Sequence, residues 1–298
     1  MTFIVPYAPG GTLDPQGRQF AQQLEPLLDI QVVVENVPGA AGAVGTERIL
    51  TAEPNGATFG LTTSSALLVA PKTTEGVTYE TPEDWEVLAK MSSVPYLLVV
   101  KDDAPWQTFE DLVEDGESRP GEITVSTPGA FNPGDLVLEQ LNSETDDLFR
   151  ATPFSGGGGE ALAAVLGGQV DANVAALATA KGQIEAGDLR ALAIFGEEPV
   201  EIGDQKVPAI TDLGYNATLQ SEHYIIAPPG IPEDVLGQLT AASVEVVQSE
   251  EWTNFVEQQG AVPESLGAEE STAEIEKEEG LYNQIFQFLT ERGRLERD

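Results

Sequence analysis

The chain opens with the stretch Phe3-Ile-Val-Pro-Tyr-Ala-Pro-Gly-Gly-Thr-Leu-Asp14, and this stretch sets the expected fold. Its pattern predicts a short apolar strand, then a turn rich in proline and glycine, then an amphipathic helix. A glycine turn at a helix start presents several free backbone N–H groups in one place. Such a turn can bind an anion without any basic side chain. The buried stripe of the helix is expected to consist of Phe20, Leu24, Leu27 and Leu28.

Strand and helix patterns alternate through the first hundred residues. Strands are predicted at Phe3–Val5, Gln31–Glu35 and Thr58–Leu61, and helices at Leu13–Leu28 and Gly42–Ala52. This βαβαβ order is typical of a parallel sheet. The apolar run at 96–101 then leads into polar residues, which indicates a crossover strand into a second lobe.

The alternation restarts after this crossover, and a similar apolar strand at Tyr224–Ala227 indicates a return. A helix with an apolar face is predicted at Val235–Val247, and a last helix at Ala268–Arg292 is acidic at its start and basic at its end. We therefore expect residues 1–100 to begin lobe 1, residues 101–222 to form lobe 2, and residues 223–298 to complete lobe 1. A ligand would bind in the cleft between the lobes, with the two crossover strands as a hinge.

The composition excludes several classes of function. The chain has 298 residues with 14 Lys and Arg against 50 Asp and Glu, one His and no Cys, and its formal net charge is −36. This charge argues against nucleic acid or an anionic membrane as a partner. The absence of cysteine excludes disulfides and thiolate chemistry. We interpret the acidity as adaptation of the surface to high salt, and an ordinary acidic soluble protein is the alternative.

Targeting signals are not visible in the sequence. It contains no apolar run of about 18 residues that would span a membrane, and no signal peptide. The first strand nevertheless begins within a residue or two of Met1, so we expect that a leader has been removed. The absence of a leader does not make a cytoplasmic location the expectation.

Four loops follow predicted strands and precede predicted helices, where α/β proteins bind ligands. They lie at 7–14, 61–65, 126–135 and 154–159, and they combine glycines with hydroxyl side chains. Their shared chemistry is hydrogen-bond donation to an anion by neutral N–H and O–H groups. The alternative is that they are only helix caps and turns. Asp14 in particular fits a helix cap and a ligand contact equally well.

Other chemistries have little support. The glycines at 156–159 lack the Gly-Lys-Ser/Thr ending of a phosphate-binding loop, and the dinucleotide fingerprint is absent. His223 is the only histidine, it lies on a presumed hinge strand, and a structural role is expected for it. No nucleophile elbow exists to support a Ser-His-Asp centre. We expect no catalytic residue, no metal site and no cofactor, so the protein is not expected to be an enzyme.

Several motifs together resemble the receptors of tripartite tricarboxylate transporters, the extracytoplasmic solute-binding proteins also called the Bug family. The resemblance rests on residues 4–14, on Val32-Val-Val-Glu-Asn-Val-Pro-Gly39 with the residues up to Gly45, and on Pro54-Asn-Gly56. Further motifs are Thr63-Ser64, Pro153-Phe-Ser-Gly156, Leu166-Gly-Gly-Gln-Val-Asp171, Gly187-Asp-Leu-Arg-Ala-Leu-Ala193 and Pro228-Pro-Gly-Ile-Pro232. Each motif is weak alone, but their order and spacing cover nearly the whole chain.

The resemblance implies a type II periplasmic-binding-protein fold with two α/β lobes, two crossover strands and a ligand cleft between the lobes. It implies a small carboxylate ligand, held by backbone N–H groups, hydroxyls and bridging waters. The residues it assigns on lobe 1 are Tyr7, Gly10, Gly11, Thr12, Asp14, Thr63 and Ser64. On lobe 2 they are Ser126, Thr127, Gly129, Phe154, Ser155 and Gly156, and we add Phe131.

The third loop departs from the family pattern. In the family this loop is usually richer in Ser and Gly, and it often has a histidine before the following helix. Here the loop contains Pro128, Phe131 and Pro133, and Asp135 occupies the position of that histidine. We therefore expect this loop to decide which carboxylate is accepted. The family's lipid-modified cysteine is also missing, although the resemblance implies an extracytoplasmic protein, periplasmic or at the cell surface, that was lipid-anchored before loss of its leader.

Two functional hypotheses follow from the resemblance. The first is a monomeric receptor that captures a di- or tricarboxylate, or a related organic acid, by lobe closure and delivers it to the permease subunits of a secondary transporter. The second is a ligand-sensing module that signals to a membrane sensor kinase.

Overall fold

The structure is a computed structural model, and it describes residues 1–10 and 13–295. The strands of this part of the chain are β1 (Thr2–Val5), β2 (Val33–Asn36), β3 (Thr58–Thr63), β4 (Glu86–Val94), β5 (Tyr96–Lys101), β6 (Ile123–Thr127), β7 (Phe149–Pro153), β8 (Ala172–Ala176), β9 (Leu189–Phe195), β10 (Val200–Ile202), β11 (Gln205–Val207), β12 (Ser221–Ala227) and β13 (Val262–Gly267). The α-helices are α1 (Leu13–Leu28), α2 (Ala43–Leu50), α3 (Ser64–Leu68), α4 (Ala70–Thr73), α5 (Phe109–Ser118), α6 (Pro133–Glu144), α7 (Gly158–Leu166), α8 (Leu177–Glu185), α9 (Glu233–Val247), α10 (Glu250–Gln258) and α11 (Ala268–Glu291).

The first of two compact units comprises Met1–Ser93 and Glu222–Gly280. Its six-stranded sheet has the order β13-β4-β12-β3-β1-β2. Strand β1 runs parallel to β2 and β3, as the βαβαβ pattern predicts, whereas β12 runs antiparallel to β3. The core between this sheet and its helices contains fully buried aromatic rings, and Phe3 contacts both Phe20 and Phe59.

The second unit comprises Val94–Ser221 and the chain from Leu281 on. Its five-stranded sheet has the order β7-β6-β8-β5-β9. Strand β6 is parallel to β7 and β8, and β5 is antiparallel to β8 and β9. The apolar run Leu97–Val100 lies on β5 in the interior of this sheet, and all four side chains are fully buried. A continuous apolar run is what a strand covered on both faces requires.

The chain passes between the units after Ser93, Ser221 and Gly280. The sequence-based division placed its boundaries after residues 100 and 222, and it assigned the whole last helix to lobe 1. In the structure residues 94–100 group with the second unit, and helix α11 begins in the first unit and ends in the second.

Three local features of the structure differ from the sequence-based predictions. Leu27 was expected in the buried stripe of α1, but it is 39% exposed, whereas Phe20 and Leu24 are buried. Helix α11 ends at Glu291 with no basic residue in its last turn, because Arg292 lies just beyond it. Its apolar face is nevertheless confirmed, since Ile275, Tyr282, Ile285 and Leu289 are buried. Strands β4, β7, β10, β11 and β13 were not predicted.

Candidate functional site

The first unit gathers polar residues at the carboxyl ends of its parallel strands. Tyr7 follows β1, Asn36 ends β2, and Thr63 ends β3. Because β1 pairs in parallel with both β2 and β3, these three residues lie at one edge of the sheet. This is the edge at which α/β sheets bind ligands.

Tyr7 and Thr63 form a hydroxyl pair at this edge. The Tyr7 hydroxyl lies 2.8 Å from Thr63 Oγ1, which lies 3.1 Å from Ser65 Oγ. Thr63 Oγ1 also accepts a hydrogen bond from Ala66 N, so the side chain caps helix α3. Burial raises the pKa of Tyr7 to about 12, although the bond to Thr63 opposes the shift. Tyr7 is therefore a neutral hydroxyl at physiological pH.

Asp14 holds the turn that joins β1 to α1. Its carboxylate accepts hydrogen bonds from Gly10 N at 2.9 Å and from Asn36 Nδ2 at 2.8 Å, and it forms an ion pair with Arg18 at 2.9 Å. Burial alone would raise the pKa of Asp14, but the bonds from Gly10, Asn36 and Arg18 outweigh it and lower the pKa. Both oxygens are engaged inside the loop, which favours a structural role over a ligand contact.

The remaining residues assigned in the first unit are Ser64, Gly10, Gly11 and Thr12. Ser64 is fully buried, and its hydroxyl accepts the backbone N–H of Glu222 at 3.4 Å. Gly10 has a φ of 77°, the left-handed region that glycine adopts readily, and its N–H is donated to Asp14. Gly11 and Thr12 lie outside the described residues.

In the second unit the predicted hydroxyls of the third loop point into the protein. Ser126 is fully buried and donates its hydroxyl to Ala161 O at 2.9 Å. Thr127, also fully buried, donates to Asp135 Oδ1 at 2.8 Å. Asp135 Oδ2 accepts the backbone N–H of Phe131 at 3.0 Å. These bonds shape the loop, and they use both hydroxyls within the unit.

Phe131 has a strained backbone and a restrained ring. Its φ is 57°, the left-handed region that aromatic residues rarely adopt. Its ring stacks on Phe286 of α11, with ring centres 6.3 Å apart and an interplanar angle of 28°. The contact with Phe286, the bond to Asp135 and the tight turn at Gly129, where φ is 121°, together fix the shape of this loop.

The fourth loop lies beside the third. Phe154 N donates to Thr127 O at 3.0 Å, and a Cβ added to Gly129 would lie 3.8 Å from Phe154 O. Ser155 is exposed, and Gly156 N donates to Glu160 Oε2 at 2.8 Å. The structure thus brings the two predicted loops of the second unit together.

Two residues of the first-unit edge were not among the predicted site residues. Asn36 donates to both Asp14 and Tyr7 O. Ser65, which lies in the predicted loop at 61–65, extends the hydroxyl pair. Gly42 lies against Tyr7, because a Cβ added there would come within 2.7 Å of the Tyr7 hydroxyl oxygen. The usable signal was the position of Asn36 at the end of a strand parallel to β1.

The single histidine takes part in a buried network. His223 Nδ1 lies 2.8 Å from Ser92 Oγ, which donates to Gln16 Oε1 at 2.8 Å. Burial, with a smaller contribution from Lys90, lowers the pKa of His223 to about 3, so its ring stays neutral at physiological pH. Within residues 1–10 and 13–295, no group of three or more His, Asp or Glu side chains is arranged to hold a metal ion. In the same part of the chain no helix is long and apolar enough to cross a membrane.

Each unit has a β-sheet flanked by helices, with loops rich in glycine and hydroxyl residues at the carboxyl ends of its parallel strands. This architecture is the type II periplasmic-binding-protein fold. The family model described as "Tripartite tricarboxylate transporter family receptor" matches residues 17–284, and the chain belongs to this family. Protein BugT of Bordetella pertussis is 29% identical over 262 residues, which span 87% of this chain and 80% of BugT.

Solved structures agree on the fold. A TctC solute-binding protein from Polaromonas, solved without ligand, is 25% identical, with a TM-score of 0.82 over 96% of this chain and 97% of its own. MatC from Rhodopseudomonas palustris, solved with bound malate, is 23% identical, with a TM-score of 0.75 over 96% and 98% of the two chains. Another R. palustris protein, solved with adipate, is 22% identical, with a TM-score of 0.75 over 97% and 96%.

Proposed function

We propose that this protein is an extracytoplasmic receptor that captures a small carboxylate and delivers it to the permease subunits of a secondary transporter. The observation that carries the proposal is the hydroxyl pair of Tyr7 and Thr63, at the ligand edge of a chain that belongs to the tricarboxylate receptor family. Members of the same fold bind malate and adipate, which are both dicarboxylates. The ligand class that fits best is therefore a dicarboxylate, a tricarboxylate or a related organic acid.

The proposed mechanism is reversible binding of the ligand with no chemical reaction. Neutral donors suit an anion in a chain with a net charge of −36, because preorganised dipoles attract the ligand locally while salt screens the long-range repulsion. We propose that loops from both units hold the ligand: Tyr7, Gly10, Gly11, Thr12, Asp14, Thr63 and Ser64 from the first, and Ser126, Thr127, Gly129, Phe131, Phe154, Ser155 and Gly156 from the second. Asp14, Asp135 and the buried hydroxyls act by shaping these loops, and closure of the two units follows binding.

A thermal-shift screen at molar salt tests the ligand class. Malate, adipate and citrate are compared with glucose and with an amino acid, each at millimolar concentration. We expect at least one carboxylate to raise the melting temperature, because a ligand that binds only the folded state stabilises it. Stabilisation by glucose alone would contradict the proposal.

A pair of threonine variants tests the site. Thr63→Val removes the partner of Tyr7, and we expect a roughly 3- to 10-fold weaker affinity for the stabilising carboxylate in calorimetry. Thr62→Val is the matched control, because Thr62 is the neighbouring buried residue of β3 and pairs with Thr46 at 2.7 Å. It should lower stability by about 1 kcal/mol and leave affinity unchanged. Equal affinity losses in both variants would place the ligand elsewhere.

A further inference from the structure

A buried charge cluster adjoins residues 63–65 of the first unit, which we call the hydroxyl loop, through strand β12. Lys90 of β4 is 5% exposed, and its Nζ lies 2.9 Å from Glu222 and 3.6 Å from Glu264. Glu278 of α11 is 6% exposed and accepts a hydrogen bond from the Tyr224 hydroxyl at 3.2 Å. We call these five residues the Lys90 cluster.

The Lys90 cluster has more carboxylates than cations. Strand β4 contributes Lys90, strand β12 contributes Glu222 and Tyr224, strand β13 contributes Glu264, and helix α11 contributes Glu278. The other titratable groups around the cluster are His223 of β12 and Glu274 of α11, and Lys277 is exposed on the same helix. His223 is neutral, so Lys90 is the one buried cation facing these carboxylates among the described residues. Unpaired buried carboxylates are costly, and such groups take up a proton instead of staying ionised.

The electrostatics of the individual groups agree with this imbalance. Burial raises the pKa of Glu222 to about 7, although Lys90 opposes the shift. Burial and the charge of Glu222 raise the pKa of Glu278 well above its ordinary value. Burial would lower the pKa of Lys90, but Glu222 and Glu264 outweigh it and raise it, so Lys90 stays charged. Lys90 therefore keeps its charge, and Glu222 and Glu278 are the groups of this cluster that favour the protonated form.

The Lys90 cluster is connected to the hydroxyl loop through strand β12. The backbone N–H of Glu222 donates to Ser64 Oγ at 3.4 Å, and His223 is the cross-strand partner of Thr63. A negative charge held at this loop would therefore lie beside strand β12, next to the backbone of Glu222. Like charges at short range in a buried setting favour the protonated form of a carboxyl group.

We propose that binding of an anion at the Thr63–Ser64 loop is accompanied by uptake of a proton from solvent onto the carboxyl pair Glu222 and Glu278. This linkage rests on the proposed function, because it requires a carboxylate at that loop. The reciprocal effect is that protonation of the pair strengthens ligand binding. The receptor would then bind its anion more tightly as the pH falls from about 8 to about 6.

Calorimetry in several buffers measures the linkage directly. The probe is L-malate, or adipate if malate does not bind, titrated into the full chain at pH 7 and molar salt in phosphate, HEPES and Tris. The dependence of the binding enthalpy on the ionisation enthalpy of the buffer gives the number of protons taken up. We expect a fraction of one proton per ligand for the wild type, and a Kd that rises by less than about tenfold per pH unit between pH 6 and 8.

The variants Glu222→Gln and Glu278→Gln should each reduce the proton uptake, and the double variant should abolish it while malate still binds. Glu276→Gln is the matched control, because Glu276 is an exposed residue of the same helix, and it should keep the wild-type uptake. Binding without any buffer dependence would overturn the linkage and leave the proposed function intact. If no carboxylate binds the wild type, both proposals fail together.

Unfolding measured without ligand checks proton binding by the pair. A carboxyl group with a raised pKa binds its proton more tightly in the folded state, so its contribution to stability is complete below pH 4.5 and is lost as the pH rises through about 7. The wild type should lose stability across this range, and the slope should be smaller in Glu222→Gln than in Glu276→Gln. Equal slopes in the two variants would contradict proton binding by Glu222 in the folded state.

Discussion

The two units prepare their loops in different ways. In the first unit, hydroxyls remain at the edge of the sheet: Tyr7, Thr63 and Ser65 bond to one another in a partly buried chain. In the second unit, Ser126 and Thr127 are fully buried and spend their hydroxyls on the protein itself. Under the proposed function, the first unit would recognise the ligand by its side chains, and the second by the shape of its backbone.

The aspartates that hold the loops of the two units also differ, in their hydrogen-bond partners and in how far those partners are exposed to water. Asp14 binds Gly10 N, Asn36 and Arg18, and the Arg18 side chain is 51% exposed. Asp135 is fully buried and binds Thr127 and Phe131 N. Water can replace lost hydrogen-bond partners of Asp14, but it cannot easily replace those of Asp135. The loop at 126–135 therefore depends more strongly on its carboxylate.

The largest effect should come from Asp135→Ala. The substitution leaves the buried Thr127 hydroxyl and the partly buried Phe131 N–H without this acceptor, and we expect a loss of about 2–4 kcal/mol in the free energy of unfolding. Urea unfolding at molar salt measures it. Asp14→Ala is the comparison in the other unit, with an expected loss of about 1–2 kcal/mol. If Asp14→Ala proves the more damaging variant, the contrast between the loops is wrong.

The sequence could predict the parallel part of the first sheet because that part depends on local order. Strands β1, β2 and β3 alternate with helices, and their pairing follows from this pattern. The antiparallel strands β12 and β13 join the first sheet from distant parts of the chain. No local pattern encodes such pairing, so β4 and β13 were missed.

For the loops, the sequence predicted positions but not orientations. It placed the third loop at the carboxyl end of a strand, and the structure agrees. It could not show that Ser126 points to Ala161 O, because β6 is buried on both faces and the alternation of a half-exposed strand is absent. The stacking of Phe131 on Phe286 joins residues far apart in the chain and lies equally beyond local reasoning.

An intermediate effect is expected at Phe131, where strain and stacking oppose each other. Phe131→Ala keeps a non-glycine residue at a φ of 57° and removes the contact with Phe286, so it should lose about 0.5–1.5 kcal/mol of stability. Phe131→Gly loses the same contact but relieves the left-handed strain, which is worth about 1 kcal/mol. In urea unfolding the glycine variant should therefore be the more stable of the two. A more stable alanine variant would show that the backbone at this position is not strained.

The smallest effect should come from Tyr7→Phe in the first unit. The variant keeps the ring and loses both the 2.8 Å bond to Thr63 and the 3.3 Å bond that the hydroxyl donates to Ala41 O. We expect a loss of about 0.5–1 kcal/mol in stability, because Ser65 and water can still satisfy Thr63 Oγ1. The affinity for the carboxylate should fall more clearly than stability does, since a donor is removed from an edge suited to side-chain recognition. Thermal unfolding and calorimetry on the same preparation separate the two quantities. If stability falls while the affinity for the carboxylate is unchanged, the first unit recognises the ligand through its backbone and not through its hydroxyls. The two units would then recognise the ligand in the same way.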